Sequence, residues 1–492
     1  MNRKSGVFLS ISSLPSKDGI GTLGENAYKF VNFLKESGFS YWQVLPFNPT
    51  GFGNSPYQSF STFAGNPYYI DLKLLIDEKI LSKKSFKEYN YENSENVNYG
   101  LLFQEKFKVL RKAYKKSYKK LKDDIEIFCK NNAYWIEDYS LFMAIKDHLN
   151  GCSFLYWPDK LKIRDSEELI KYSELLKDDI NFYKFIQFIF YRQFDNLVKY
   201  ANENGIELIC DLPIYVSMDS SDVWSNINLF MFNNDYVPKL VAGVPPDYFS
   251  KTGQLWGNPL YNYKKMKEDN YSWWVNRVKH LSKYCKNIRI DHFRGFEAFY
   301  AVKCGEETAI RGRWIKGPGK ELFDEIEKNC PDIHIIAEDL GIITRPVRKL
   351  MNECGYPGMK VLEFAFDGSK NNSYLPKKHI PNSVIYIGTH DNQTLKGFVD
   401  SLDEEKKRYI RSCFRYKERS IEDLLIRALF QSKSNLAIIN ACDMLLKDDN
   451  CRMNEPSTSN NKNWSFRLLS LKDLFKLKNK YKKMNKKYGR SN

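Results

Sequence analysis

The residues in this chain best placed to do chemistry are acids that stand where apolar runs stop. Asn287-Ile288-Arg289-Ile290-Asp291-His292-Phe293-Arg294-Gly295 reads as a short buried strand that delivers an aspartate, a histidine and two arginines into a small space. Ile333-His334-Ile335-Ile336-Ala337-Glu338-Asp339-Leu340-Gly341 repeats the order of apolar strand, acid and glycine, and Val384-Ile385-Tyr386-Ile387-Gly388-Thr389-His390-Asp391-Asn392 gives a looser version with its glycine ahead of the acid. A carboxylate at the end of a strand, kept ionised by neighbouring guanidiniums, suits a nucleophile or a stabiliser of positive charge. Taken alone, Asp291 serves equally well as a cap for the next helix or a counter-ion for Arg289. Three acids about fifty residues apart leave room for a loop and a helix between strands, and parallel strands with helical returns bring them together.

Three carboxylates at the mouth of a barrel, with histidine and arginine beside them and no metal-binding pattern, point to glycosyl transfer. The reaction passes through a cationic sugar, so one carboxylate bonds to the anomeric carbon while a second, kept protonated, hands a proton to the leaving oxygen. Asp291, held ionised by Arg289, suits the first role. Glu338, at the end of the very apolar run through Ile333, Ile335, Ile336 and Ala337, is placed to have its pKa raised by desolvation and to act as the acid. Asp391 is left to stabilise the cation and grip hydroxyls. His292 and His390 stand beside two of the acids, either as neutral imidazoles that hydrogen-bond sugar hydroxyls or as histidines satisfied within the barrel.

The elements that must position these residues follow from the apolar pattern. A first strand near Gly6 to Ile11, a helix from about Glu25 to Ser37 and a second strand from Tyr41 to Phe47 make a strand, helix, strand unit. Gly19, Gly21 and Gly24 fit the letters of a dinucleotide fingerprint, but a polar loop separates them from the strand. The loop Gly51 to Ser59 carries Tyr57, read either as a lid over the core or as an aromatic platform for a ligand. Residues 73–200 read as a mostly helical insertion, in which Phe103, Phe107, Leu110, Tyr114 and Leu121 share a face and lysines cover the others. A third strand from Glu207 carries Asp211, and a long loop region follows with Tyr248, Phe249 and Trp256, aromatics that fit stacking on a sugar face or packing on the barrel itself. The run Gly312 to Lys320 tempts a Walker reading, which Pro318 spoils by standing where lysine is needed. With strands at Asn287, Ile333, Lys360 to Phe366, Val384 and Asn435 to Ile439 the count reaches eight, and the predicted fold class is an α/β (β/α)8 TIM barrel with large helical insertions. The expected division is barrel over 1–72, insertion over 73–200, the rest of the barrel with its substrate loops over 201–470, and a basic tail over 471–492.

Composition narrows the class. At 492 residues with 42% hydrophobic content the chain supports a sizeable core. The net charge of +16, from 76 Lys+Arg against 60 Asp+Glu, is spread over the whole length, which favours a solvated lysine surface over a nucleic-acid partner. Ten cysteines without any Cys-x-x-Cys pair suggest neither a disulfide framework nor a zinc site. No apolar run approaches the roughly 18 residues of a membrane span, and the first one is too short and too broken by serine for a signal peptide, so a reduced cytoplasmic protein is expected.

The ordered set Ser55-Pro56-Tyr57-Gln58-Ser59, Asp211-Leu212-Pro213-Ile214, Gly253 to Pro259, Arg289 to Gly295, Ala337 to Gly341 and Thr389-His390-Asp391-Asn392 resembles the amylomaltases, the 4-α-glucanotransferases or disproportionating enzymes of the α-amylase clan. Arg452-Met453-Asn454 with Asn463-Trp464 is similar to that family's C-terminal signature. The resemblance runs from about Gly6 to Arg467. It implies a (β/α)8 barrel without a separate C-terminal β-domain and a retaining double displacement, with Asp291 as nucleophile, Glu338 as acid/base and Asp391 as third carboxylate. It also implies that Tyr57, Asp211, Trp256, Arg289, His390 and Asn454 hold the glucan, that Tyr248 and Phe249 lie over the acceptor side, and that no metal or organic cofactor is needed. The implied substrates are α-1,4-glucans and maltooligosaccharides, with glucose as acceptor; nucleic acid and membrane are not implied partners. Three positions depart from the family pattern: Cys210 and Ser457 where glycine is usual, and Phe466 where tryptophan is common.

Overall fold

Each apolar run that ends in an acid becomes a strand of one closed barrel. The computed structural model describes residues 3–51, 53–87, 89, 91, 94–246, 250–458 and 460–491. Among them twelve strands form: β1 (Lys4–Phe8), β2 (Tyr41–Gln43), β3 (Glu207–Leu212), β4 (Leu240–Val244), β5 (Gln254–Pro259), β6 (Asn287–Ile290), β7 (Ala298–Lys303), β8 (Gly312–Lys316), β9 (His334–Ala337), β10 (Gly358–Val361), β11 (Ser383–Tyr386) and β12 (Leu436–Asn440). Eight are parallel and closed in the order β1-β2-β3-β6-β9-β10-β11-β12, returning to β1 through the Lys4↔Leu436 register. This is a (β/α)8 barrel.

Alternation along the strands sorts their side chains into two cores. Phe8, Ile209, Ile336, Met359, Val361, Val384, Tyr386, Leu436 and Ile438 cluster inside the barrel. Val7, Leu208, Ile288, Ile290, Ile335, Ile385 and Ile439 face outward into the helix layer. Arg289, between two outward isoleucines, therefore points in, as does Asp211, two residues beyond Ile209. Buried on both faces, such strands read as continuous apolar runs, which is why they were legible.

Helices fill the chain between β2 and β3. The longest, Lys177–Glu203 with 27 residues, buries Phe190 and Phe194 against Phe47, with ring centroids 6.1 and 4.7 Å apart. On helix Tyr99–Ser117 the expected face is buried at Leu110 and Tyr114 but departs toward its start: Phe103 is 71% exposed, whereas Lys106 is fully buried. The reason is electrostatic. Lys106 Nζ donates to Asp18 Oδ2 at 2.8 Å and to the Ile70 carbonyl at 2.7 Å, so a basic residue turns toward the barrel.

Two further expectations are corrected. The long loop region after β3 and the run Gly312 to Lys316 contribute to a four-stranded antiparallel sheet of order β5-β4-β7-β8. Its central pair is distant in sequence, as Leu240↔Lys303 shows, and short runs broken by glycine and proline do not announce such pairing. The second correction concerns cysteine, where no disulfide was expected. Cys210 on β3 and Cys285 just before β6 are joined, their Cα atoms 5.9 Å apart across 75 residues of sequence. β3 and β6 are neighbours in the barrel, with Cys210 opposite Ile288, and that adjacency brings the two together. The basic tail forms helix Lys472–Lys487. No helix of the described residues is long and apolar enough to cross a membrane.

Candidate active site

Arg289 organises the site. Its side chain is 4% exposed, and its Nη1 donates to both oxygens of Asp211, at 2.6 and 2.7 Å, while Nη2 donates to Asp291 Oδ1 at 3.0 Å. Asp211 in turn accepts the Tyr57 hydroxyl at 2.6 Å, and that hydroxyl lies 3.1 Å from His390 Nε2. The Tyr57 and His390 rings stack with centroids 5.5 Å apart. His390 Nε2 stands 3.4 Å from Asp391 Oδ2, and Asp391 Oδ1 accepts the Asn454 side-chain amide at 2.6 Å. A continuous polar chain thus runs from Asp291 through Arg289, Asp211, Tyr57 and His390 to Asp391 and Asn454.

Glu338 is fixed by backbone. Its own N–H donates to the Ile290 carbonyl at 3.0 Å, which ties the end of β9 to the end of β6. Its two carboxyl oxygens accept the N–H groups of His292 and Leu340, both at 2.7 Å. His292 reaches this position in the left-handed region, φ 48° and ψ 51°. A non-glycine residue rarely sits there, and such conformations gather where the surrounding structure has a use for them. The His292 ring stands edge-on to Trp256 at 4.8 Å, and its Nε2 has no hydrogen-bond partner among the described residues.

Burial sets the charge states. Glu338 is 8% exposed, and loss of solvent, then the neighbouring charge of Asp291, push its pKa up to about 7. Asp291 also rises, to about 6, because desolvation and the charges of Asp211 and Asp391 outweigh Arg289. Arg289 acts in the direction expected from sequence, keeping the carboxylate the more acidic of the pair, but burial outweighs it. The Asp291 side chain keeps 28% of its surface open to the cleft, which limits the rise. Desolvation lowers both histidines, His292 to about 3, so each is neutral at neutral pH.

The structure therefore brings Tyr57, Asp211, Arg289, Asp291, Glu338, His390, Asp391 and Asn454 to one end of the barrel, with His292 and Trp256 at its edge. Tyr248 and Phe249 lie outside the described residues. Arg452 joins the set, donating from Nη2 to the Asp391 carbonyl at 2.6 Å and from Nε to the Asn454 carbonyl at 2.9 Å. Trp464 does too, its ring 5.9 Å from His390 and 5.7 Å from Tyr57. Both belong to the C-terminal signature, which was the signal for them. Of the departures from the family pattern, Ser457 adopts φ 63°, a conformation that favours glycine, and Phe466 is buried in the outer core. A separate polar cavity of about 260 Å³ lies between helices Ala133–His148 and Ser272–Ser282, lined by Asp138, Asp222 and Trp273, and contains none of the three acids. Convergent charge, not volume, marks the site. No group of His, Cys, Asp and Glu suited to a metal ion occurs among the described residues.

A closed parallel barrel whose carboxylates meet at the C-terminal ends of its strands, in a cleft walled by tyrosine, tryptophan and histidine, defines a carbohydrate-active barrel enzyme. Residues 9–472 match the 4-alpha-glucanotransferase family, and the chain belongs to it. It is 45% identical over 486 residues to the 4-alpha-glucanotransferase of Clostridium butyricum, covering 98% of this chain and 100% of that one. The Aquifex aeolicus 4-alpha-glucanotransferase is 42% identical over 95% of each chain. The amylomaltase from Streptococcus agalactiae in complex with acarbose superposes with a TM-score of 0.96 at 39% identity, covering 100% of both chains. The protein is accordingly a transferase of α-glucan segments.

Proposed function

We propose that this transferase works by a double displacement on Asp291. Glu338, protonated, gives its proton to the glycosidic oxygen as the Asp291 carboxylate bonds to the anomeric carbon and the leaving glucan departs with a free 4-hydroxyl. The 4-hydroxyl of glucose or of another glucan then attacks that carbon, returns a proton to Glu338 and frees Asp291. Asp391, fixed by Asn454, faces the developing charge, and Tyr57, Asp211, Trp256, Arg289, His292 and His390 hold the donor. Tyr248 and Phe249 belong to the acceptor side in this reading, and the work is done in the cytoplasm.

The observation that carries the proposal is the asymmetry of the two acids. Asp291 is bonded to a guanidinium, whereas Glu338 has only neutral N–H donors and the higher pKa. Environments that push two carboxyls apart assign acid and base. Incubation with maltotriose should give glucose and a ladder of longer oligomers, read by chromatography, and Asp291→Asn should abolish the ladder while retaining binding. Reducing ends released without a ladder, or a ladder persisting in Asp291→Asn, would overturn it.

A further inference from the structure

Behind the turn that carries Asp391 lies a second set of acids, outside the cleft. Glu363 sits in the short 3-10 helix Leu362–Ala365 after β10, and its N–H donates to the Ile387 carbonyl at 3.1 Å, just past β11. Its carboxyl covers Gly388. A Cβ built on Gly388 would come 2.5 Å from Glu363 Oε1 and 2.9 Å from the Asn392 Cβ, so only glycine fits there. Asn392 closes the turn, its Oδ1 accepting both the N–H and the hydroxyl of Thr389 at 2.9 Å.

The surroundings of Glu363 are short of positive charge. Its Oε1 is shut off from solvent and has no hydrogen-bond partner among the described residues. The polar and charged groups that face it are the Asn392 amide, Asp443 on helix Ala441–Met444, Asp449, and Arg452. Asp443 accepts the Leu395 N–H at 2.8 Å, and Asp449 accepts from Gln393 at 2.7 Å and from the Thr394 N–H at 2.8 Å. Arg452 is committed to the carbonyls of Asp391 and Asn454. An ionised Glu363, its Oε1 shut off from solvent, would add charge beside Asp449 and beside Asp443, whose own pKa burial pushes up to about 7.

We propose that Glu363 keeps its proton and, as a neutral carboxyl, is the positioning residue that seats the Gly388 to Asn392 turn and thereby fixes Asp391. Burial and then Asp443 raise its pKa well above the carboxylate range, in keeping with that role. The same device recurs nearby. The Asp339 carboxyl covers Gly358, 2.6 Å from the place of its Cβ, and accepts the Met359 N–H at 2.6 Å beside Glu338.

The inference rests on Asp391 acting as the third carboxylate, and its test has an arm that does not. A carboxyl whose folded pKa is raised costs stability relative to an amide, a cost absent below the unfolded pKa of about 4.3 and growing as pH climbs toward the folded value. Glu363→Gln should keep kcat for maltotriose within about twofold, whereas Glu363→Ala, which leaves the turn unsupported, should lose about tenfold or more in kcat with little change in KM. The melting temperature of Glu363→Gln should exceed that of the native protein at pH 8 and converge with it toward pH 4. A Gln variant as slow as the Ala variant, or a melting difference that ignores pH, would overturn the proposal. Should Asp391→Asn retain full transfer, the assigned role of Asp391 falls, and the melting comparison still reads the proton on Glu363.

Discussion

At the scale of the residue, the chemistry depends on two carboxyls that share a desolvated cleft and differ in partners. Transfer requires Asp291 ionised and Glu338 protonated. The rate should therefore climb as Asp291 loses its proton near pH 6 and fall as Glu338 loses its own near pH 7, giving a narrow bell in kcat/KM whose limbs belong to the coupled pair. Glu338→Gln should slow transfer by about 10²- to 10⁴-fold and remove the descending limb, which a pH series of initial rates would show. The three acids were legible because each follows an apolar run. Glu363 follows one too, yet it lay hidden inside the predicted strand Lys360 to Phe366, which in fact ends at Val361. The rise of the Asp291 pKa was not legible for a plain cause: sequence shows the adjacent arginine but not the depth of the cleft or the proximity of Asp211.

At the scale of the element, periodicity identified the helices between β2 and β3 but put Phe103 and Lys106 of one helix on the wrong sides. Helix Tyr99–Ser117 docks through Leu102, Val109, Leu110 and Tyr114 and buries Lys106 among them, paired with the Asp18 carboxylate and the Ile70 carbonyl. Removing one partner of a buried pair leaves the other charge stranded, at a cost of roughly 3–5 kcal/mol. Lys106→Met should lose stability on that order in urea unfolding, and Asp18→Asn in the same chain should restore part of it. No pattern of apolar residues encodes such a contact, because its two ends are 88 residues apart. The antiparallel sheet of β4, β5, β7 and β8 escaped notice for a related reason: its strands carry exposed residues such as Leu255 and Trp314, and its central pair, β4 with β7, forms across the intervening barrel strand β6.

At the scale of the molecule, the tail read from sequence only as basic locks the barrel seam. Arg490 is fully buried and donates to five carbonyls, those of Phe430, Lys4, Asn435, Ser432 and Ser434. Lys4 and Asn435 stand at the start of β1 and just before β12, the pair that closes the barrel. Arg490→Ala should lower stability by ~2 kcal/mol or more, since several buried acceptors lose their donor, while kcat at 25 °C stays unchanged because the acids sit at the opposite ends of the strands. Calorimetric melts beside maltotriose assays would check both, with the exposed Lys487→Ala as the neutral control.

Sequence by itself determined the eight barrel strands, their order and the acids that stand at their ends, because burial on both faces imposes continuous apolar runs and chemistry requires carboxylates where those runs end. Only the tertiary structure decided which acid keeps its proton, which lysine is buried, which cysteines meet and what supports Asp391. Those outcomes depend on distances between residues far apart in the chain and on exclusion of water, and neither quantity is written in local spacing.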